Sequence, residues 1–245
     1  KGLPLAERER LLGDKKLGGN WKIKAAAGLL FRREWCQKID IMPSNIESVV
    51  RYWDLAATEK TEINDPAWTV GVKLGRYRRQ PGVEGQRYVI LDVRRMQVSP
   101  HKVKEAIKNT AIADGQSVRI GIPQDPGQAG KGQVADIVGM LAGFDVRSEI
   151  ESGDKVVRFG PFSAQCEAGN VDYLAGQWND PFLSSLENFP DGKQKDDADA
   201  SSGAFKEILR YGGPIDMRDA GATGDDGDGV ETSDADAPWS IFSGT

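Results

Sequence analysis

The sequence predicts an α/β fold in which a mixed five-stranded sheet, three antiparallel strands followed by parallel ones, is flanked by helices. Three observations carry this. Three β-rich runs come first, at about 49–56, 68–74 and 87–93. From about residue 99 helical and extended patterns alternate, which implies parallel pairing through right-handed crossovers. The chain has 245 residues, 39% hydrophobic and 28% charged, enough for a sizeable core in one or two domains.

The first strand is Val49-Val50-Arg51-Tyr52-Trp53-Asp54-Leu55-Ala56, the second Trp68 to Leu74 and the third Arg87 to Val93. Gly75 to Gln86, rich in Gly and Arg with Pro81, reads as a long hairpin loop between the second and third. Ser99-Pro100 opens a helix over about 101–113, with Val103, Ala106, Ile107 and Ala111 on one face and Asp114-Gly115 ending it. Val118 to Ile122 is a short apolar strand, Val134 to Ala142 a helix, and Phe144 to Val146 another strand. Residues 155 to 190 read as a short strand, a helix near Ala164 to Ala168, an extended piece Val171 to Leu174 and a helix ending at Phe189-Pro190. A last helix runs over about 196–209.

Both ends read differently. Residues 1–46 are basic, with a short helical stretch Leu5 to Leu12 and a break at Gly18-Gly19-Asn20-Trp21, and read as a linker following a further domain. The start at Lys1 shows neither an initiator Met nor a signal-peptide pattern. Residues 47–210 form the expected domain, and 211–245 an acidic, Gly/Asp/Ala-rich tail expected to be disordered.

Composition excludes several chemistries. No apolar run reaches the roughly 18 residues needed to cross a bilayer, so no membrane partner is expected. Cys36 and Cys166 are the only cysteines and read as reduced thiols of an intracellular protein. His101 is the only histidine, so zinc sites of the Cys/His kind and His-metal nuclease sites lack ligands. The net charge of −5 argues at first against a nucleic-acid partner, but the tail carries eight acids and one base. Residues 1–210 hold 31 bases and 29 acids, a mildly basic body.

Chemistry therefore points to carboxylates. Asp54 sits in a strand among Tyr, Trp, Leu and Ala, sharing a face with Tyr52 and Ala56 by alternation; it needs an Arg, backbone donors or a metal. Asp125, in Gly121-Ile122-Pro123-Gln124-Asp125-Pro126-Gly127, stands past the end of a parallel strand, where open α/β sheets place ligands, although a turn-forming Asp before Pro has the same look. Lys195-Asp196-Asp197-Ala198-Asp199-Ala200 opens the last helix. At about 100° per residue, Asp196 and Asp199 lie about 60° apart while Asp197 points about 160° from Asp199. Ala200, Gly203 and Ala204 leave that face small enough to approach a sheet closely. Helix capping alone would also explain one or two of these acids. Together the acids fit a two-metal site for in-line phosphoryl displacement, with Mg²⁺ or Mn²⁺ on oxygen ligands.

This order of elements and acids resembles the RNase H-like nuclease superfamily. More narrowly, Arg51-Tyr52-Trp53-Asp54-Leu55-Ala56, Asp65-Pro66-Ala67-Trp68-Thr69, Pro123 to Lys131 and Asp196-Asp197-Ala198-Asp199-Ala200 resemble the C-terminal nuclease domain of tailed-phage large terminase subunits. Gly19-Asn20-Trp21 and Gly28 to Arg33 resemble the segment that joins the ATPase motor to the nuclease there. The resemblance implies metal ligands at Asp54, Asp125 and Asp196, with Asp199 joining them as in junction resolvases. It departs from the family where Gln194-Lys195 replace a His-Asp pair, so Asp196 and Asp197 compete as principal ligand; helix geometry favours Asp196. It further implies a two-metal endonuclease cutting double-stranded DNA during genome packaging in the host cytoplasm, with the portal and small terminase subunit as partners of the full-length protein. A junction resolvase or transposase, and a non-catalytic DNA-binding or docking module, are the alternatives.

Candidate DNA contacts are Lys131, beside the acids, and Arg76, Arg78 and Arg79 on the hairpin. Gly127-x-x-Gly130-Lys131 is not a nucleotide loop, since the spacing is short and Gly132 follows the Lys. Asp92 reads as an ion-pair partner of Arg94 or Arg95, and Asp65 as a turn residue.

Overall fold

The computed structural model describes residues 30–56, 61, 66–78 and 85–211. The expectations for residues 1–29, Asp65, Arg79 and the tail beyond Tyr211 lie outside the described residues. In chain order the strands are β1 (Gln37–Ile39), β2 (Ile46–Asp54), β3 (Thr69–Arg78), β4 (Gln86–Met96), β5 (Val118–Gln124), β6 (Val146–Ile150) and β7 (Val171–Leu174). The helices are α1 (Pro100–Asp114), α2 (Gln128–Met140), α3 (Lys155–Glu167), α4 (Asn179–Glu187) and α5 (Asp196–Arg210). β2, β3 and β4 pair antiparallel and the remaining neighbours parallel, in the order β1-β7-β4-β3-β2-β5-β6.

The mixed α/β architecture is as the sequence predicts, but the sheet has seven strands rather than five. The two additions are β1, whose three residues are too short to show alternation, and β7, the extended piece expected at Val171 to Leu174, which joins the sheet. β1 lies in the stretch assigned to the linker; there Phe31 is wholly buried and Arg33 binds Glu187 and Asp180 of α4. The expected strand at 155 is instead the start of α3. Its β-branched Val156 and Val157 suggest extension, yet the Asp154 side chain accepts hydrogen bonds from both backbone N–H groups and caps the helix. β3 and β4 also run further into the hairpin than expected, so Arg76 and Arg78 are strand residues.

Alternation along β2 sorts its residues onto two layers. Val50 and Tyr52 join the core under α3, α4 and α5, whereas Trp53 joins α1 and α2 on the other face. Cys36 and Cys166, remote in sequence, are both buried and free in the first of these cores.

Tyr52 is held between two glycines. A methyl group on Gly121 would come within 2.4 Å of its ring, and one on Gly203 within 2.1 Å. Only glycine lets α5 approach β2 this closely, as the small residues of that helix predict. Helix propensity favours Ala over Gly by about 1 kcal/mol, while forcing a methyl into a filled core costs about 1–3 kcal/mol. Gly203→Ala is therefore expected to lower the melting temperature, whereas Gly132→Ala on α2, where a methyl meets nothing within 4 Å, should raise it. Thermal melts showing both variants shifted in the same direction would refute this.

On the other face Arg51, only 2% exposed, binds Asp114 at 2.7 Å, Asp92 at 2.8 Å and the Gly71 carbonyl at 3.2 Å. Lys73 adds a contact to Asp114 at 2.9 Å. Burial alone would raise the Asp114 carboxyl, but Arg51 and then Lys73 outweigh it and hold it below its ordinary 3.8. A carboxyl depressed in the folded state contributes stability that is complete above the unfolded value and is lost as pH falls through the folded one. Breaking such a pair costs about 3–5 kcal/mol. Asp114→Asn should thus be strongly weakened at about pH 6 and lose less than the parent on acidification to about pH 2. Urea unfolding at both pH values checks this, and equal losses in parent and variant would contradict it.

Candidate functional site

The C-terminal ends of β2, β5 and β6 lie side by side, and α5 starts against the same edge of the sheet. Asp54 is the last residue of β2. Just beyond it, the Ala56 N–H donates to Thr69 Oγ1 at 3.0 Å, and the Thr69 hydroxyl donates back to the Ala56 carbonyl at 3.3 Å. This exchange stitches the end of β2 to the start of β3.

The acids of α5 separate by direction. Asp196 Oδ2 accepts a hydrogen bond from the Trp68 backbone N–H at 2.8 Å. Asp197 is wholly buried and pairs with Arg95 at 3.1 Å, whose guanidinium lies 4.7 Å from the centre of the Trp68 ring. Burial pushes its carboxyl up to about 6, with Arg95 opposing. Asp197 thus serves as an internal ion-pair partner, as helical spacing predicts for the residue facing away from Asp199. Asp199 is also buried and is bound by Lys155 and by Arg158, the latter at 2.8 Å. Burial raises its carboxyl against both cations.

Asp54 is the least compensated acid. Its carboxyl is pushed well above the usual range, first by burial, then by Asp199, Asp196 and Glu151, with Lys155 working against them. The structure therefore brings Asp54, Asp196 and Asp199 within electrostatic reach of one another. Among the described residues, no three acidic, His or Cys side chains are grouped closely enough to surround one ion as they stand.

Asp125 occupies the neighbouring strand end but is exposed. Parallel register sets Gly121 opposite Tyr52 and so carries Asp54 to the level of Pro123; Asp125 stands two residues further on, about 7 Å by strand rise. The turn is fixed by close packing, because a methyl on Gly130 would sit 2.1 Å from the Asp125 carbonyl oxygen. Gly127, with φ 104°, starts α2 six residues earlier than the apolar pattern from Val134 indicates. Lys131 is exposed on the first turn of that helix. Arg78 and Arg76 instead reach Glu47, at 2.9 and 3.7 Å. Asp92 pairs with Arg94, as expected, but also with Arg51. His101 is exposed beside Glu105.

Sequence reasoning missed Glu151, Lys155 and Arg158. Glu151 follows the end of β6 and accepts a hydrogen bond from the Tyr52 hydroxyl at 3.0 Å, while Arg158 pairs with it from α3. Its signal was the same strand-end rule that singles out Asp125, hidden because the strand expected to end at Val146 instead runs on to Ile150. Lys155 and Arg158 stand three apart on one helical face, a spacing invisible while 155 was read as a strand.

The model of the terminase RNase H-like domain family matches residues 51–207, more than half of the 245-residue chain. The chain belongs to this family. The matched segment of this terminase RNase H-like domain begins at Arg51 and ends within α5, so it contains Asp54, Asp125, Asp196 and Asp199. No curated protein sequence matches. Solved structures with a similar trace include the large terminase nuclease from thermophilic phage G20c with bound zinc, 13% identical, with a TM-score of 0.47 over 74% of this chain and 98% of that one. The same phage protein with bound magnesium is 12% identical, with a TM-score of 0.46 over 74% and 97%. The human cytomegalovirus terminase nuclease domain soaked with Mn is 13% identical, with a TM-score of 0.47 over 71% and 87%.

Proposed function

We propose that this domain is the nuclease part of a terminase large subunit, a metal-dependent endonuclease that cuts double-stranded DNA during viral genome packaging. What supports the reading is that a chain of this family gathers Asp54, Asp196 and Asp199 at one sheet edge, with Asp54 surrounded mainly by other acids. The donor set fits a hard divalent cation in charge and chemistry, since every candidate ligand is a carboxylate and a cation would relieve the buried negative charge at Asp54. Asp54, Asp125, Asp196 and Asp199 would hold two Mg²⁺ or Mn²⁺ ions. Bound there, the ions would supply Lewis-acid activation and charge neutralisation for an in-line displacement at phosphorus.

The residues of the chain do the rest. The Trp68 N–H orients Asp196, and the Tyr52 hydroxyl orients Glu151. Lys155 and Arg158 hold Asp199, so a ligand role for Asp199 requires the Lys155 ammonium to turn away from it. Burial lowers the pKa of both cations, but Asp199 at Lys155, and Glu151 with Asp199 at Arg158, outweigh it and keep both charged. In this reading residues 47–210 are the nuclease domain, 1–46 the connection to a motor domain and 211–245 an acidic tail. Lys131 contacts the DNA backbone, and the portal and small terminase subunit are partners in the host cytoplasm. No described helix is long and apolar enough to cross a membrane.

Plasmid cleavage with Mn²⁺ tests the proposal. Asp54→Asn should cut at least about 100-fold more slowly, the loss of roughly 3 kcal/mol of transition-state stabilisation. The same variant should melt no lower than the parent, because it removes a half-buried charge whose neighbours are mostly acids. Cleavage by Asp54→Asn at the parental rate would sink the assignment.

A further inference from the structure

Beside the carboxylates lies a polar cleft of about 270 Å³, formed where the approach to β3 meets the loop before α5. Pro66, Ala67, Lys155, Lys193, Lys195 and Asp196 line it. Three lysines thus face one acid. Lys193 and Lys195 are exposed, and Lys155 keeps half of its side-chain surface in solvent although its ammonium contacts Asp199. Lys155 therefore belongs to the cleft and to the carboxylate cluster at once.

We infer that this cleft is the track for the phosphate backbone of the DNA strand presented to the carboxylates, with Lys193 and Lys195 contacting successive phosphates and Lys155 standing nearest the point of cleavage. The inference rests on the nuclease reading above and assigns its strand-binding surface. Distance and charge favour this place over the hairpin. Arg78 lies at the far end of β3 from Thr69, about 30 Å away by strand rise. The cleft, by contrast, opens directly onto Asp196. With 31 bases against 29 acids, residues 1–210 attract a polyanion only weakly through their overall charge, so lysines beside the acids must supply the local attraction. A backbone phosphate entering here would also give Lys155 an alternative anion to Asp199, the movement that a ligand role for Asp199 requires.

The test uses the full chain and a fluorescein-labelled duplex of about 20 base pairs, with Ca²⁺ in place of Mn²⁺, read by anisotropy across a salt series. Each phosphate contact contributes about 0.9 to the slope of log affinity against log salt. Lys193→Ala/Lys195→Ala should therefore bind about tenfold more weakly at about 0.1 M salt, with the slope reduced by about 1.8. Lys193→Arg/Lys195→Arg should retain affinity and slope. Lys102→Ala/Lys108→Ala, on α1 across the sheet, should leave both unchanged. Parental affinity and slope in Lys193→Ala/Lys195→Ala, with the parent still binding and cutting DNA, would overturn the cleft and leave the nuclease reading standing. Equal weakening by the α1 pair would also overturn it, because binding would then follow total charge. A parent that neither binds nor cuts DNA would overturn the nuclease reading itself.

Discussion

The seat of the Tyr52 ring between Gly121 and Gly203 is the constraint on which the rest of the site depends. Carboxylates on a strand end and on a helix can act together only if the two backbones come closer than ordinary side chains allow. Here one aromatic ring fills the gap and glycine on each side removes any competitor for it. The same ring points its hydroxyl at Glu151, so the packing that sets the spacing of β2 and α5 also positions an acid just past the end of β6. Fold and site are in this sense a single packing problem.

Around that contact the acids are neutralised unequally, and the inequality gives the site its character. Asp197 has Arg95, itself stacked on Trp68; Asp172, on the far side of the sheet, has Arg87 at 2.6 Å. Each faces a guanidinium, although burial still pushes the Asp197 carboxyl up to about 6. Asp199 has two cations, but one is a lysine on a flexible stem with half its surface in water. Asp54 has mostly acids for neighbours. A gradient from paired to unpaired negative charge thus runs from α5 to the end of β2.

How far this was legible in the sequence depended on length and on what a residue touches. β2 to β5, α1 and α5 carry long runs of strong periodicity, and the sequence places them within a few residues. Helical spacing separated Asp196 from Asp197 because the two positions differ by an angle that no packing can change. β1 was hidden because three residues cannot show alternation, and its strand character exists only through pairing with β7. α3 was misread because local β propensity at Val156 and Val157 lost to a capping Asp154. Lys155, Arg158 and Glu151 were missed for a different reason: their meaning lies in convergence on Asp199 and Tyr52, and convergence across three elements leaves no mark in any one of them. Arg76 and Arg78 show the converse, since a basic cluster says nothing of the Glu47 that awaits it on the neighbouring strand.

The Arg33 clasp has a mechanical side. Its guanidinium engages Glu187 twice, at 2.9 Å each, and also Asp180 and Ser184, so the chain is riveted to α4 before it enters β1. β1 then lies parallel to β7, and tension along it loads their shared hydrogen bonds in shear, all together, rather than peeling them one by one. A pull on the polypeptide before Leu30 would therefore be borne by α4 and the β7 edge of the sheet. Asp54, Asp125 and Glu151, at or just beyond the ends of β2, β5 and β6, sit several strands away from that load.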